Sequence, residues 1–102
     1  MLLTIVRFDA PAEAPEDPVA LIGKTAPAYQ HIPGLRRKYF IGNAETVGGV
    51  YEWDSRQAAE AWFDADWQQR MASTYGQVPR VEHFDAPCLV DNVTGQVLLD
   101  PP

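Results

Sequence analysis

Three consecutive stretches decide the fold: Leu35-Arg-Arg-Lys-Tyr-Phe-Ile-Gly42, Asn43-Ala-Glu-Thr46 and Val47-Gly-Gly-Val-Tyr-Glu-Trp53. The outer two are rich in aromatic and β-branched residues and read as strands. The polar stretch between them reads as a turn, so the three form a hairpin. Gly48-Gly49 is unusual inside a strand, because glycine weakens one. It marks a bulge or the close approach of something bulky.

Reading outward, Asp54-Ser55 caps a helix, with Gln57 in the capping-box position relative to Asp54. Ala59, Trp62, Phe63, Trp67 and Met71 recur at helical spacing and give one apolar stripe. Asp66 and Gln69 offer a second capping box, which predicts a break near Ala65. Tyr75-Gly76 ends the helix. Residues 78–85 read as a strand whose Pro79 belongs at its start or at a sheet edge.

Before the hairpin, Leu2–Phe8 is a strand. Asp17-Pro18 is a helix start, with Asp17 as N-cap and Pro18 in the first turn. Leu21, Ile22, Ala26 and Tyr29 follow at helical spacing, and Pro27 should kink the helix. The order is therefore β-α-β-β-α-β, a ferredoxin-like α+β arrangement with an antiparallel sheet. Residues 1–92 make the domain. An apolar C-terminal extension follows, and residues 93–102 are expected to pack on a partner subunit.

Composition sets the outer limits. The chain has 102 residues, 46% of them hydrophobic, and a net charge of −6. That suits one ordered domain. The single cysteine, Cys88, rules out an internal disulfide framework. It follows Pro87 in an apolar segment and reads as a buried, inert thiol. The acidic balance argues against nucleic acid. No apolar run reaches the roughly 18 residues of a membrane span. The start carries no secretory signal pattern, so the cytoplasm is the expected compartment and Asn92-Val93-Thr94 is a chance glycosylation match. A chain this short buries only about 60–65% of its unfolded surface, which suggests pairing with a second copy.

Several fragments taken in order carry a resemblance. They are Ile32-Pro-Gly-Leu35, Arg37-Lys-Tyr-Phe40, Gly48-Gly-Val-Tyr51, Trp53-Asp-Ser55 with Ala58-Ala-Glu-Ala61, and then Tyr75-Gly76, Phe84-Asp85, Pro87 and Val90-Asp-Asn92. Together they resemble the YdhR-like family of the antibiotic-biosynthesis-monooxygenase-like group, over residues 2–92. The resemblance implies a dimeric α+β barrel, in which the sheets of a homodimer face each other. It also implies oxidation of a small phenol- or quinol-type aromatic molecule by O₂, with no metal or flavin cofactor.

Strand alternation sorts side chains into two faces. One grouping puts Ile5, Arg7, Arg37, Tyr39, Tyr51, Trp53, His83 and Asp85 together. The other holds Val6, Phe8, Lys38, Phe40, Val50, Glu52, Glu82 and Phe84. The first face suits a pocket for a flat aromatic ligand. His83 titrates near neutrality and is the candidate base. Tyr39 and Tyr51 are candidate oxyanion donors, and Arg37 or Lys38 would hold negative charge. Trp53 and Trp62 are candidate substrate contacts, although Trp62 with Phe63, Trp67 and Met71 equally suits a core. His31 reads as a helix C-terminal cap. A metal site finds no ligand spacing. The competing expectation is a dimeric barrel that binds or senses a small molecule without transforming it.

Overall fold

The computed structural model describes residues 1–102. Strand β1 (Leu2–Asp9) is followed by helix α1 (Pro18–Thr25) and a 3-10 turn over Ala26–Tyr29. The hairpin is β2 (Leu35–Gly42) and β3 (Thr46–Trp53). Helices α2 (Arg56–Trp62) and α3 (Ala65–Tyr75) lead to β4 (Arg80–Asp85). The first four strands form one antiparallel sheet in the order β2-β3-β1-β4. This is compatible with the ferredoxin-like arrangement. A separate antiparallel hairpin follows, from β5 (Cys88–Asp91) and β6 (Gln96–Leu99).

Local chemistry sets the element ends. Asp17 accepts a hydrogen bond from the Ala20 N–H at 3.1 Å, with Pro18 at the first helical position. Pro27 has no N–H for an α-helical bond, and from Ala26 the chain tightens into 3-10 geometry. The helix therefore stops short of His31. His31 instead lies past Gln30 with φ +65, outside any helix, so it caps nothing by its place in the chain. At α2 the cap is Ser55 rather than Asp54, with its hydroxyl accepting from the Ala58 N–H. The break between the next two helices falls at Phe63-Asp64. There Asp64, not Asp66, accepts from the Trp67 N–H at 2.8 Å. Gly76 then ends α3 in the left-handed conformation.

The helices cover one face of the sheet. Leu2, Val6, Phe8, Tyr51, Trp53, Ala59 and Trp67 are its buried core. Pairing brings Lys38, Tyr51, Thr4 and His83 into one row across β2, β3, β1 and β4 on this face. The opposite face has no helix over it. It holds Arg37, Tyr39 and Ile41 with Leu3, Ile5, Val50, Glu52, Glu82 and Phe84.

This corrects the grouping drawn from alternation alone. Arg37, Tyr39, Ile5 and Arg7 leave the set of Tyr51, Trp53 and His83. Lys38, Phe40, Val6 and Phe8 join it. Alternation defines two faces on each strand, but only inter-strand register says which face matches its neighbour's. A register shift between Leu35 and Arg37 adds to the ambiguity on β2.

The C-terminal segment is tied to its own chain. The Ala86 N–H donates to the Met1 carbonyl at 2.9 Å, and the Met1 amine to the Pro101 carbonyl. Arg36 donates to the Pro102 carbonyl at 2.8 Å. Cys88 is exposed rather than buried, because the β5–β6 hairpin forms its own small sheet instead of entering the core.

Candidate functional site

The site grows from the row on the covered face. Lys38 reaches across β3 over Gly49. A Cβ on that glycine would sit 3.0 Å from Lys38 Cε and 3.1 Å from Tyr51 Cε1. The bulky neighbour expected at the double glycine is thus the lysine stem with the Tyr51 ring. Gly48 answers a different need, since a Cβ there would lie 1.8 Å from the Val6 carbonyl oxygen. Here the backbones themselves come too close for a side chain.

The Lys38 ammonium lies in an aromatic box. Its Nζ is 3.3 Å from the centroid of the Tyr29 ring, 3.9 Å from Phe40 and 4.7 Å from Tyr51. Trp62 packs edge-on against Tyr29 at 6.0 Å. The four ion pairs of the chain all use arginines, so no carboxylate lies within 4.0 Å of this nitrogen. Burial without a counter-ion disfavours the charged form and lowers the Lys38 pKa to about 7. The ring faces attract the cation and hold it in place when it is charged.

Tyr51 is pushed far above the ordinary tyrosine range, first by burial and then by Tyr29. It therefore stays protonated and can only donate or accept as a hydroxyl. Tyr29 is raised as well, chiefly by burial. The Trp62 indole N–H bears on the Tyr51 hydroxyl. It makes no well-formed hydrogen bond and is sealed from solvent. Such an orphaned donor costs stability unless something accepts from it.

At the far end of the row, His83 Nδ1 lies 2.7 Å from the hydroxyl of Thr4, which is 0% exposed. The buried hydroxyl needs a partner, and the His83 ring supplies one at Nδ1, with the direction of the bond set by the imidazole tautomer. Burial, then the nearby Arg56 charge, lowers the His83 pKa, while Glu60 works the other way. His83 is thus the neutral imidazole near pH 7. Asp85 is not its partner; it pairs with Arg56 at 3.2 Å. Phe63 lies between the two ends, 5.8 Å from the His83 ring, 5.0 Å from Tyr51 and 5.8 Å from Trp53.

Five of the seven residues singled out in the sequence therefore share the covered face or its helical lid: His83, Tyr51, Trp53, Lys38 and Trp62. Arg37 and Tyr39 do not join them. Arg37 pairs with Glu52 at 3.2 Å on the open face, and Tyr39 is 49% exposed there. Sequence reasoning missed Tyr29, Thr4 and Phe63 as site walls. Tyr29 looked like one more helical apolar position, and Thr4 gave no signal, because its role depends on pairing with β4.

A groove of about 360 Å³ opens beside the box. Ile32, Pro33, Gly34, Asp54, Ala58 and Trp62 line it. Gly34 has φ +80, and a Cβ there would collide with Ala58 Cβ at 2.4 Å, so only glycine lets this loop lie against α2. Trp62 belongs to both the groove and the box wall.

Fold and site together define a small α+β protein with a polar row buried beneath an aromatic cover. No known family description and no characterised protein matches this chain.

Proposed function

We propose that this protein is a cofactor-independent monooxygenase acting with O₂ on a small phenol- or quinol-type substrate. The observation that carries the reading is the buried row itself: a neutral imidazole, an amine balanced near neutrality and a protonated tyrosine, walled by aromatic rings. A general base works best when its pKa lies near the operating pH. His83 or Lys38 would take the substrate proton. The Tyr51 hydroxyl would hydrogen-bond the resulting oxyanion. The substrate anion would then reduce O₂, one oxygen atom becoming a ring carbonyl and the other leaving as water. The substrate supplies all the electrons, so no other reductant enters. The groove at Ile32 and Trp62 is the entry route in this reading.

The open face supports the dimeric half of the proposal. Tyr39, Ile41 and Phe84 are 49%, 41% and 45% exposed on one four-stranded surface. Only 11 of 102 residues are buried in the single chain. A second copy laid face to face would cover this surface and supply the missing core. The exposed Val97 and Leu99 of the β5–β6 hairpin would pack on the partner in the same assembly.

Oxygen uptake over a panel of phenols and quinols tests the reaction. Turnover lost in His83→Ala or in Lys38→Met, whichever is the base, and kept in Tyr39→Phe, is the expected result. Tight binding of panel members without oxygen uptake would favour the sensing reading, which the small groove also accommodates.

A further inference from the structure

We infer that Lys38 is a nucleophilic amine that captures a small aromatic aldehyde or ketone as an imine. The inference stands apart from oxygenation, since it concerns the amine alone and needs no O₂.

Four observations carry it. Lys38 has no carboxylate partner, so nothing anchors its charge. Three rings stand within 4.7 Å of Nζ, so an aromatic carbonyl compound that reaches the amine meets ring surface rather than charge. Nζ has no hydrogen-bond partner and is not among the polar atoms sealed from solvent, which are the indole nitrogens of Trp53 and Trp62, so the amine keeps some contact with water. Finally, Gly49 under the lysine stem fixes where the amine sits, because no side chain competes for that space.

The chemistry balances without a further reagent. The Nζ lone pair adds to the carbonyl carbon, and a proton passes from nitrogen to oxygen to give a carbinolamine. Loss of that oxygen as water leaves the imine. The departing hydroxyl takes up a proton from solvent, and the nitrogen releases one, so the step closes with water as the only product besides the imine. The titratable groups around the box are Tyr29 on the 3-10 turn and Tyr51 on β3, with Arg70 and Tyr75 of α3 acting on Tyr29. None of them is a carboxylate that would restore the ammonium. Burial keeps a large share of the Lys38 amine unprotonated at neutral pH.

The chain provides its own control, for Lys24 is the only other lysine. Lys24 is exposed in the last turn of α1, where the helix dipole favours a cation. The test is reductive trapping of benzaldehyde with cyanoborohydride on the intact protein at about pH 7, read by peptide mass mapping. Mapping separates Lys38, Lys24 and the terminal amine. Lys38 should label about tenfold faster than Lys24 or more, and its rate should level off well below the ordinary lysine range of about 10.4. The Lys38→Arg variant should lose that label and keep the Lys24 label. Phe40→Leu opens the box and should move the Lys38 pH profile upward. Equal or faster labelling of Lys24, or a Lys38 rate that still climbs through about pH 10, would overturn the inference.

Discussion

The two faces of one sheet make the instructive comparison. They share strands, register and twist, yet differ in every property that matters for chemistry. The covered face holds Lys38, Tyr51, Thr4 and His83 without a single ion pair among them. The open face holds Arg37–Glu52 and Arg7–Glu82 as charged pairs beside exposed Tyr39, Ile41 and Phe84. Water explains the difference. On the open face each charge has an opposite charge beside it, and Arg7, Arg37 and Glu82 also keep contact with water. Beneath the helices a charge must be paired or neutralised, and Lys38 and His83 respond by favouring their neutral forms. For Lys38 the same desolvation that destabilises the charged form leaves the amine able to exchange a proton near pH 7.

Truncation should separate the faces most sharply. Trp53 is 0% exposed, stacked on Tyr51 and edge-on to Phe63. Trp53→Ala should cost about 3–5 kcal/mol in urea unfolding. Tyr39→Ala on the open face should change stability of the single chain by less than about 0.5 kcal/mol. The proposed dimer adds a second readout, because Tyr39→Ala should then weaken self-association in sedimentation equilibrium. Equal losses for the two variants in single-chain stability would erase the distinction.

The next largest effect is electrostatic. The Lys38 pKa is lower in the folded than in the unfolded chain. Between about pH 7 and the ordinary lysine value near 10.4 the unfolded chain therefore binds more protons, so stability rises with pH through that window. Below it, the buried ammonium is a standing cost. Partial exposure and ring attraction reduce that cost to the order of 2 kcal/mol. Lys38→Met should stabilise the protein near neutrality and flatten this pH dependence. An unchanged profile would show that the amine is not desolvated.

Much of the fold could be read from the residues alone, and for clear reasons. Asp17-Pro18 and Tyr75-Gly76 are local signals whose meaning does not depend on distant neighbours. The hairpin of Leu35–Trp53 is likewise local. The face assignment was not local, and there the reading failed. Alternation alone groups Tyr39 and Arg37 with Tyr51 and Trp53, because it does not say which face of β2 matches which face of β3. Only the pairing of Lys38 with Tyr51, and of Thr4 with both Tyr51 and His83, fixes which side is which. Thr4 could not be found from sequence, since a threonine in an apolar strand is ordinary. The box around Lys38 was half visible: the double glycine announced a close neighbour without naming it.

Two smaller effects sharpen the covered side further. Thr4→Val removes a part-buried hydrogen bond to His83, at a cost of about 0.5–1.5 kcal/mol by chemical denaturation. At the bottom of the scale, Arg56→Gln should raise the His83 midpoint in an NMR titration, and Glu60→Gln should lower it. Added salt should shrink both changes, because both charges are exposed.

The central claim is that the working site lies on the helix-covered face, around the row from Lys38 to His83. NMR mapping of a simple phenol titrated into the protein tests it most directly. The account predicts shifts at the Trp62 indole N–H, the Tyr51 and Tyr29 rings and His83, with Tyr39 and Phe84 unmoved. Shifts confined to Tyr39, Ile41 and Phe84 would contradict it, and would place the binding surface on the open face instead.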